Sequence, residues 1–267
     1  MTLARRHLSA TALGLCLGLA APAAWSQAFD AVRLFSGAAM DGGLVGAVVI
    51  AGTEYMGSDE RRALVVPVLD YQWRNGWFAG TGNGIGYNFS ARPDLQYGLR
   101  LTADFGRDQD RSSALAGLGD IDPGVEFGGF LNYFVSRQVF LTSSLRYGAG
   151  NDSNGLQFDL GAGYSMPLSP QLRWVAGVAA TAVNSAYMRS YFGVDAGQSA
   201  SSGYAVYEPG GGLRDVRLNT SLAYQLNPRT SITGGLSVSQ LLGDADDSPI
   251  VRQSTTVSGV VALFYSF

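Results

Sequence analysis

The chain contains no Lys, a single His and a single Cys in 267 residues. It also has no long apolar run beyond its first 24 residues. The His is His7 and the Cys is Cys16. Both lie in a segment that reads as a secretory leader. Arg5 and Arg6 supply the positive start, residues 10–24 are small and apolar, and Ala24-Trp25-Ser26 has the cleavage spacing. Cleavage is expected after Ser26, with Ala28 as the alternative, leaving residues 27–267 as one domain. Leu15 stands before Cys16 where a lipid-anchoring signal needs a small residue, so an anchor through that Cys is not expected. The remaining domain has no imidazole and no thiol. This excludes disulfide staples, His-dependent nucleophilic catalysis and His/Cys metal centres. Sixteen Arg then face 21 acidic residues, a net charge of −5. So acidic a surface makes nucleic acid a poor partner.

The missing apolar run excludes membrane-spanning helices, which need about 20 consecutive apolar residues. What the chain has instead is 36 Gly, 13 Tyr and 13 Phe, with alternation at a period of two. Clear segments of this kind are 95–105, 125–135, 139–148, 156–166, 172–183, 216–226, 232–241 and 256–267. Weaker ones are 44–51, 64–73 and 77–87. Their length suits tilted membrane strands of about 9–11 residues. In the first clear segment Leu95, Tyr97, Leu99, Leu101, Ala103 and Phe105 share one face, while Gln96, Arg100 and Asp104 share the other. The polar face is the one rich in Gly, so it is read as the inside of a barrel and the apolar face as the lipid side. Tight turns at Ser136-Arg137, Ser169-Pro170 and Asn227-Pro228 alternate with longer loops, as periplasmic turns alternate with outer loops.

The expected fold is therefore all-β: a transmembrane, antiparallel, up-and-down β-barrel of about 12 strands, with 10 as the alternative. Eleven segments are visible and such barrels use an even number, so 31–37 is a candidate extra strand unless two weak segments merge or lie inside. The chain closes on Val261, Leu263, Tyr265 and Phe267, all on one face of the last strand. An aromatic carboxyl terminus of this pattern resembles the assembly signal of bacterial outer-membrane barrels. It implies the barrel-assembly machinery and outer-membrane lipid as partners, and the Gram-negative outer membrane as location.

Arg100, Asp104, Glu126, Arg146, Asp159, Arg173 and Arg217 fall on the inward face. They are read as lumen lining, either structural filler or a selectivity surface. Glu126 and Arg146 lie equally far from Ser136, which predicts a pair across a hairpin. Asp244, Asp246 and Asp247 are spaced carboxylates that could take Ca²⁺ weakly, without the spacing of an EF-hand. Gly80-Thr81-Gly82-Asn83-Gly84 opens no helix, so it reads as a crowded interior or a bend rather than a phosphate loop. The longest loop, 184–212, carries Tyr187, Tyr191, Phe192, Tyr204 and Tyr207. They mark a partner surface or a loop folded in on itself. Residues 27–41, with Phe29, Leu34 and Phe35, are a candidate periplasmic docking segment. No catalytic residue or cofactor is expected.

A further set of strings runs in order along the whole domain. It includes Tyr55-Met56-Gly57-Ser58-Asp59 with Arg62, Pro67 before Asp70-Tyr71, and Gly106-Arg107-Asp108. Leu118-Gly119-Asp120-Ile121-Asp122, Tyr191-Phe192-Gly193-Val194, Leu242 to Pro249 and the terminal Tyr265-Ser266-Phe267 follow. This ordered set resembles the MltA-interacting protein (MipA/OmpV) family. The resemblance implies a non-enzymatic outer-membrane barrel. The name-giving relative is a scaffold that joins a lytic transglycosylase to a peptidoglycan synthase in cell-wall growth. Other relatives are discussed as adhesins or solute-binding barrels. The resemblance carries over no catalytic residue.

Overall fold

A computed structural model of the protein describes residues 41–267. Among them, twelve antiparallel strands form one closed ring in the order β1-β12-β11-β10-β9-β8-β7-β6-β5-β4-β3-β2. The strands are β1 (Gly42–Thr53), β2 (Arg61–Gln72), β3 (Trp77–Gly80), β4 (Gly84–Asn88), β5 (Leu95–Asp104) and β6 (Gly124–Phe134). They continue with β7 (Val139–Ala149), β8 (Gly155–Pro167), β9 (Leu172–Val183), β10 (Gly212–Asn227), β11 (Thr230–Leu241) and β12 (Thr255–Ser266). No helix among the described residues is long and apolar enough to cross a membrane.

The period-two alternation sets which face is which. Leu99, Leu101, Val125, Phe127, Leu145 and Leu160 all stand exposed on the outside. Their neighbours Arg100, Glu126 and Arg146 are buried inside. In water such an apolar outer belt would aggregate; in lipid it is the stable solution, because the ring satisfies most of its ladder hydrogen bonds internally. The ring closes where the chain ends meet. Phe267 N donates to Gly43 O at 2.9 Å, and Gly43 N donates to Phe267 O at 3.0 Å. Above them Val45 pairs with Tyr265 and Val49 with Val261.

The end holding the carboxyl terminus has short turns, and three of them use one device. Ser136 Oγ accepts from Gln138 N and Val139 N at 3.1 and 3.0 Å. Ser169 Oγ accepts from Gln171 N and Leu172 N at 3.2 and 3.0 Å. Asn227 Oδ1 accepts from Arg229 N and Thr230 N, both at 2.9 Å. A short polar side chain thus replaces the backbone acceptor that a turn leaves out.

Two sequence expectations change. The segment 77–87 is not one strand but the hairpin β3–β4, with Gly80 paired to Gly84. The Gly-rich string is its turn. Gly84 sits at φ +70°, and a Cβ there would lie 1.7 Å from the Leu101 carbonyl oxygen, so only Gly fits. This hairpin brings the count to twelve; the candidate strand at 31–37 lies outside the described residues. The register of β6 on β7 also differs. Gly128 pairs with Arg146, and Phe134 with Phe140, so the turn centres on Arg137 rather than Ser136. Glu126 and Arg146 are therefore diagonal neighbours, which a long guanidinium spans.

Candidate functional site: the charged lumen and its dome

Six charged side chains fill the outer half of the lumen. Glu126 is 1 % exposed. Its Oε1 accepts from Gln157 Nε2 at 2.8 Å, and its Oε2 accepts from Thr102 Oγ1 at 3.1 Å and from Arg146 Nη1 at 3.2 Å. Arg146 Nη2 reaches Asp159 Oδ2 at 3.1 Å. Asp159 Oδ1 accepts from Thr181 Oγ1 at 2.7 Å and from Arg217 Nη2 at 3.3 Å. Arg217 Nη1 lies 2.5 Å from Asp215 Oδ1, and Arg214 Nε lies 2.6 Å from Asp215 Oδ2. Three carboxylates and three guanidiniums thus run in one chain across β6, β7, β8 and β10. The charges balance, and each carboxylate has at least two donors. Such burial is tolerated only with this pairing.

The outer mouth above this network is covered by the loops. Helix α1 (Ser185–Phe192) starts at Asn184, whose Oδ1 accepts from Tyr187 N at 2.9 Å. The same amide ties the helix to the β8 wall through Leu156 N and Asn154 O. Helix α2 (Ala196–Ser202) starts with a capping box between Asp195 and Gln198. Tyr187, Met188, Tyr191 and Phe192 pack with Ile121, Ala149, Val183, Leu241 and Ala245 into one buried cluster. A second cluster joins Tyr55, Leu115, Leu118, Val194 and Ile250. Each fully buried large apolar side chain contributes roughly 1.5–3 kcal/mol. Cross-loop bonds complete the dome. Tyr55 Oη donates to Ile250 O at 2.9 Å, Ser248 Oγ to Phe192 O at 2.6 Å, and Gln198 Nε2 to Leu118 O at 2.6 Å.

Dome and network meet at two tyrosines stacked 4.5 Å apart. Tyr187 Oη accepts from Arg214 Nη1 at 2.7 Å. Tyr191 Oη donates to Asp104 at 2.6 Å. Burial pushes both phenols well above the ordinary tyrosine range, with Tyr187 and Asp104 adding to the shift at Tyr191. Burial likewise pushes Tyr55 up to about 12, with help from Tyr204. Burial lowers the Arg107 guanidinium, which donates to Tyr191 O at 2.8 Å.

The seven inward charges named from sequence do not act as one set. Glu126, Arg146, Asp159 and Arg217 belong to the network. Asp104 holds the dome. Arg100 Nη2 donates to Ser144 Oγ at 2.8 Å and stacks over Phe130. Arg173 is exposed at the short-turn rim, with Nη1 on Ser165 Oγ at 3.0 Å. Tyr187, Tyr191 and Phe192 face inward, whereas Tyr204 and Tyr207 are half-buried. Asp244 Oδ2 accepts from Gly210 N at 2.6 Å, and no group of three or more ligand-type side chains is gathered for a metal among the described residues. Arg214 and Asp215 escaped the sequence reading because β10 begins at Gly212, not at Val216. An alternating Asp215 and Arg217 was the available signal.

Beside and below the network a cavity of about 1040 Å³ runs to the short-turn end of the barrel. Asn219, Ser221 and Ala223 line it on one side and Ile50, Val68 and Phe264 on the other.

Residues 45–267 match the family described as MltA-interacting protein MipA. No curated protein matches the chain. Among solved structures, the NanC porin aligns over 84% of this chain and 98% of its own at 9% identity and a TM-score of 0.47. The KdgM porin aligns over 84% and 99% at 10% identity and a TM-score of 0.43. The COG4313 outer membrane channel from Pseudomonas putida F1 aligns over 85% and 96% at 12% identity and a TM-score of 0.45.

Proposed function

The chain belongs to the MltA-interacting protein (MipA) family, and from that membership and the covered outer mouth we propose that it is a non-conducting, non-enzymatic docking barrel of the Gram-negative outer membrane. Its partners are MltA, which the family description names, read as a lytic transglycosylase, and through it a peptidoglycan synthase. The observation that carries this reading is the one-sided lumen: a dome over the outer end and a cavity of about 1040 Å³ reaching the periplasmic rim. A stable interface wants about 1,000 Å² of buried surface. The periplasmic turns are too short to supply it, but a partner segment entering the cavity gains both walls. The absence of His and Cys after the expected leader argues in the same direction, since it removes imidazole bases and thiol nucleophiles.

The test combines conductance with partner capture. The purified barrel in a planar bilayer should pass no steady current. Ser221→Trp and Ala223→Trp, which fill the periplasmic half of the lumen, should abolish crosslinking to the transglycosylase in intact cells while heat-modifiable folding persists. Full crosslinking with a filled lumen would remove the insertion reading. A steady current through the wild type would replace it with solute passage.

A further inference from the structure

The barrel wall is incomplete on one side. β2 has twelve residues, but only Asp70, Tyr71 and Gln72 pair with β3. β3 and β4 have four and five residues and turn back at Thr81–Asn83. On the far side β5 pairs with β4 only as far as Leu101. Above the short hairpin, β2 and β5 share no ladder, and the described residues place no strand between them. The sill of this opening is pinned, because Thr81 N donates to Leu69 O at 2.9 Å and Leu69 N donates to Thr81 Oγ1 at 3.0 Å.

The opening lies at the height of lipid. Outside it, Val65 and Leu69 on β2 are 61 % and 58 % exposed, and Val125 beside it on β6 is 67 % exposed. Inside it lies the apolar patch of the lumen: Val48, Ile50, Val66, Val68, Ala262 and Phe264. Phe105, the residue after β5, packs against this patch, so its ring reaches across the break from β5.

The edge of β2 is also built against completion by another strand. Leu69 turns its N–H and C=O toward the hairpin. The alternation of ladder groups then turns those of Pro67, Val65 and Ala63 toward the opening. Pro67 has no N–H to give. Proline on an unpaired edge is a standard guard against strand addition. What remains is a row of three carbonyls, with donors only from Val65 and Ala63, over an apolar wall. Asn83, on the sill and 3 % exposed, adds an Oδ1 with no hydrogen-bond partner. Open edges facing hydrocarbon are otherwise avoided in membrane barrels.

We propose that this opening is a lateral binding site for a single-chain amphiphile drawn from the bilayer, its aliphatic chain lying on the Val48–Val66–Phe264 patch and its donor-bearing head at Asn83 and the β2 edge, with Phe105 as the closing side chain. The site shares the Ile50, Val68 and Phe264 wall with the cavity proposed for partner docking, but it is entered from the bilayer and does not rest on that reading. A lipid-borne ligand is favoured over a peptide because the approach is through hydrocarbon and the edge lacks a donor at its centre.

The test uses the full barrel in phospholipid nanodiscs and a long-chain alcohol carrying a photoactivatable diazirine on its chain. Adduct sites are mapped by mass spectrometry. Adducts are expected on inward Val66, Val68 and Ile50, with none on inward Thr142 or Asn219 of the opposite walls. Phe105→Ala should raise the inward labelling several-fold. Val66→Gln should lower it several-fold while leaving labelling of outward Val125 unchanged. Labelling confined to outward residues in both wild type and Phe105→Ala would overturn the proposal. So would labelling spread evenly around the lumen, which signals entry from the periplasm. Crosslinks from the patch to residues 27–40 of the same chain, obtained with benzoylphenylalanine at Val66, would assign the opening to that segment instead.

Discussion

Tyr191 Oη lies 2.6 Å from both carboxylate oxygens of Asp104, joining helix α1 to the end of β5 across 87 residues of sequence. Asp104 also accepts from Gly106 N and Gly150 N at 3.2 and 3.0 Å. One carboxylate therefore ties three outer loops to the rim. Tyr191→Phe keeps the ring and its stacking on Tyr187 but leaves a buried carboxylate short of a donor, a loss of about 1–3 kcal/mol. Hydrogen exchange should rise across residues 105–123 and 184–211 while the strand amides stay protected. Unchanged exchange in both loops would mean the bond is incidental.

The dome should also resist base until well beyond the ordinary tyrosine range. The pKa values of Tyr187 and Tyr191 are raised by burial. A raised phenol pKa means the fold favours the neutral form. The stability this confers is complete below the unfolded value of about 10 and falls as pH rises above it. In a spectroscopic titration, the buried Tyr187 and Tyr191 should ionise only as the outer loops open. Simultaneous ionisation of all tyrosines with the loops still protected would contradict this.

Glu126 is the most enclosed carboxylate of the lumen network. Glu126→Ala strips one partner from Arg146, and breaking a buried pair in this way costs about 3–5 kcal/mol. The variant should lose its heat-modifiable gel shift at a clearly lower temperature. Replacing both residues, with Glu126→Leu and Arg146→Met, should recover most of the loss, since an apolar pair of similar volume leaves no orphaned charge. A double variant no better than the single one would show that the network is irreplaceable.

The final residue closes the ring through two backbone bonds to Gly43, and its ring centroid lies 6.3 Å from that of Tyr71. Deleting Phe267 removes those bonds, the ring contact and the last outward residue of the assembly pattern. Folded barrel in the outer membrane should drop severely, with precursor accumulating in the periplasm. Phe267→Tyr keeps an aromatic and should assemble normally. Normal assembly of the deletion would place the recognition signal elsewhere.

Strands were legible wherever alternation ran between polar turns: β9 matches the expected 172–183, and β7 extends the expected 139–148 by one residue. The β3–β4 hairpin was not, for a geometric reason. Its pairs Ala79–Ile85 and Trp77–Tyr87 sum to an even number, so the outward residues keep the same parity through the turn. Alternation therefore runs unbroken from Trp77 to Tyr87 and imitates one strand. Part of the lumen charge was legible from alternation, namely Glu126, Arg146, Asp159 and Arg217, but Arg214 and Asp215 and the connections were not. Arg146 reaches Glu126 and Asp159 on two different strands, and that choice depends on register. The burial of Tyr187 and Phe192 was equally hidden, because their cluster partners Ile121 and Leu241 are more than sixty and nearly fifty residues away.

The two walls of the lumen differ in what they ask of assembly. Charges from β6 to β10 need every strand in register before any one of them is neutralised. The seam is undemanding. The inward residues of β1 and β12, such as Leu44, Val48, Ile50, Val260, Ala262 and Phe264, carry no charge among the described residues. The ring is thus suited to be completed last at a joint that tolerates error, after the side that tolerates none has already set.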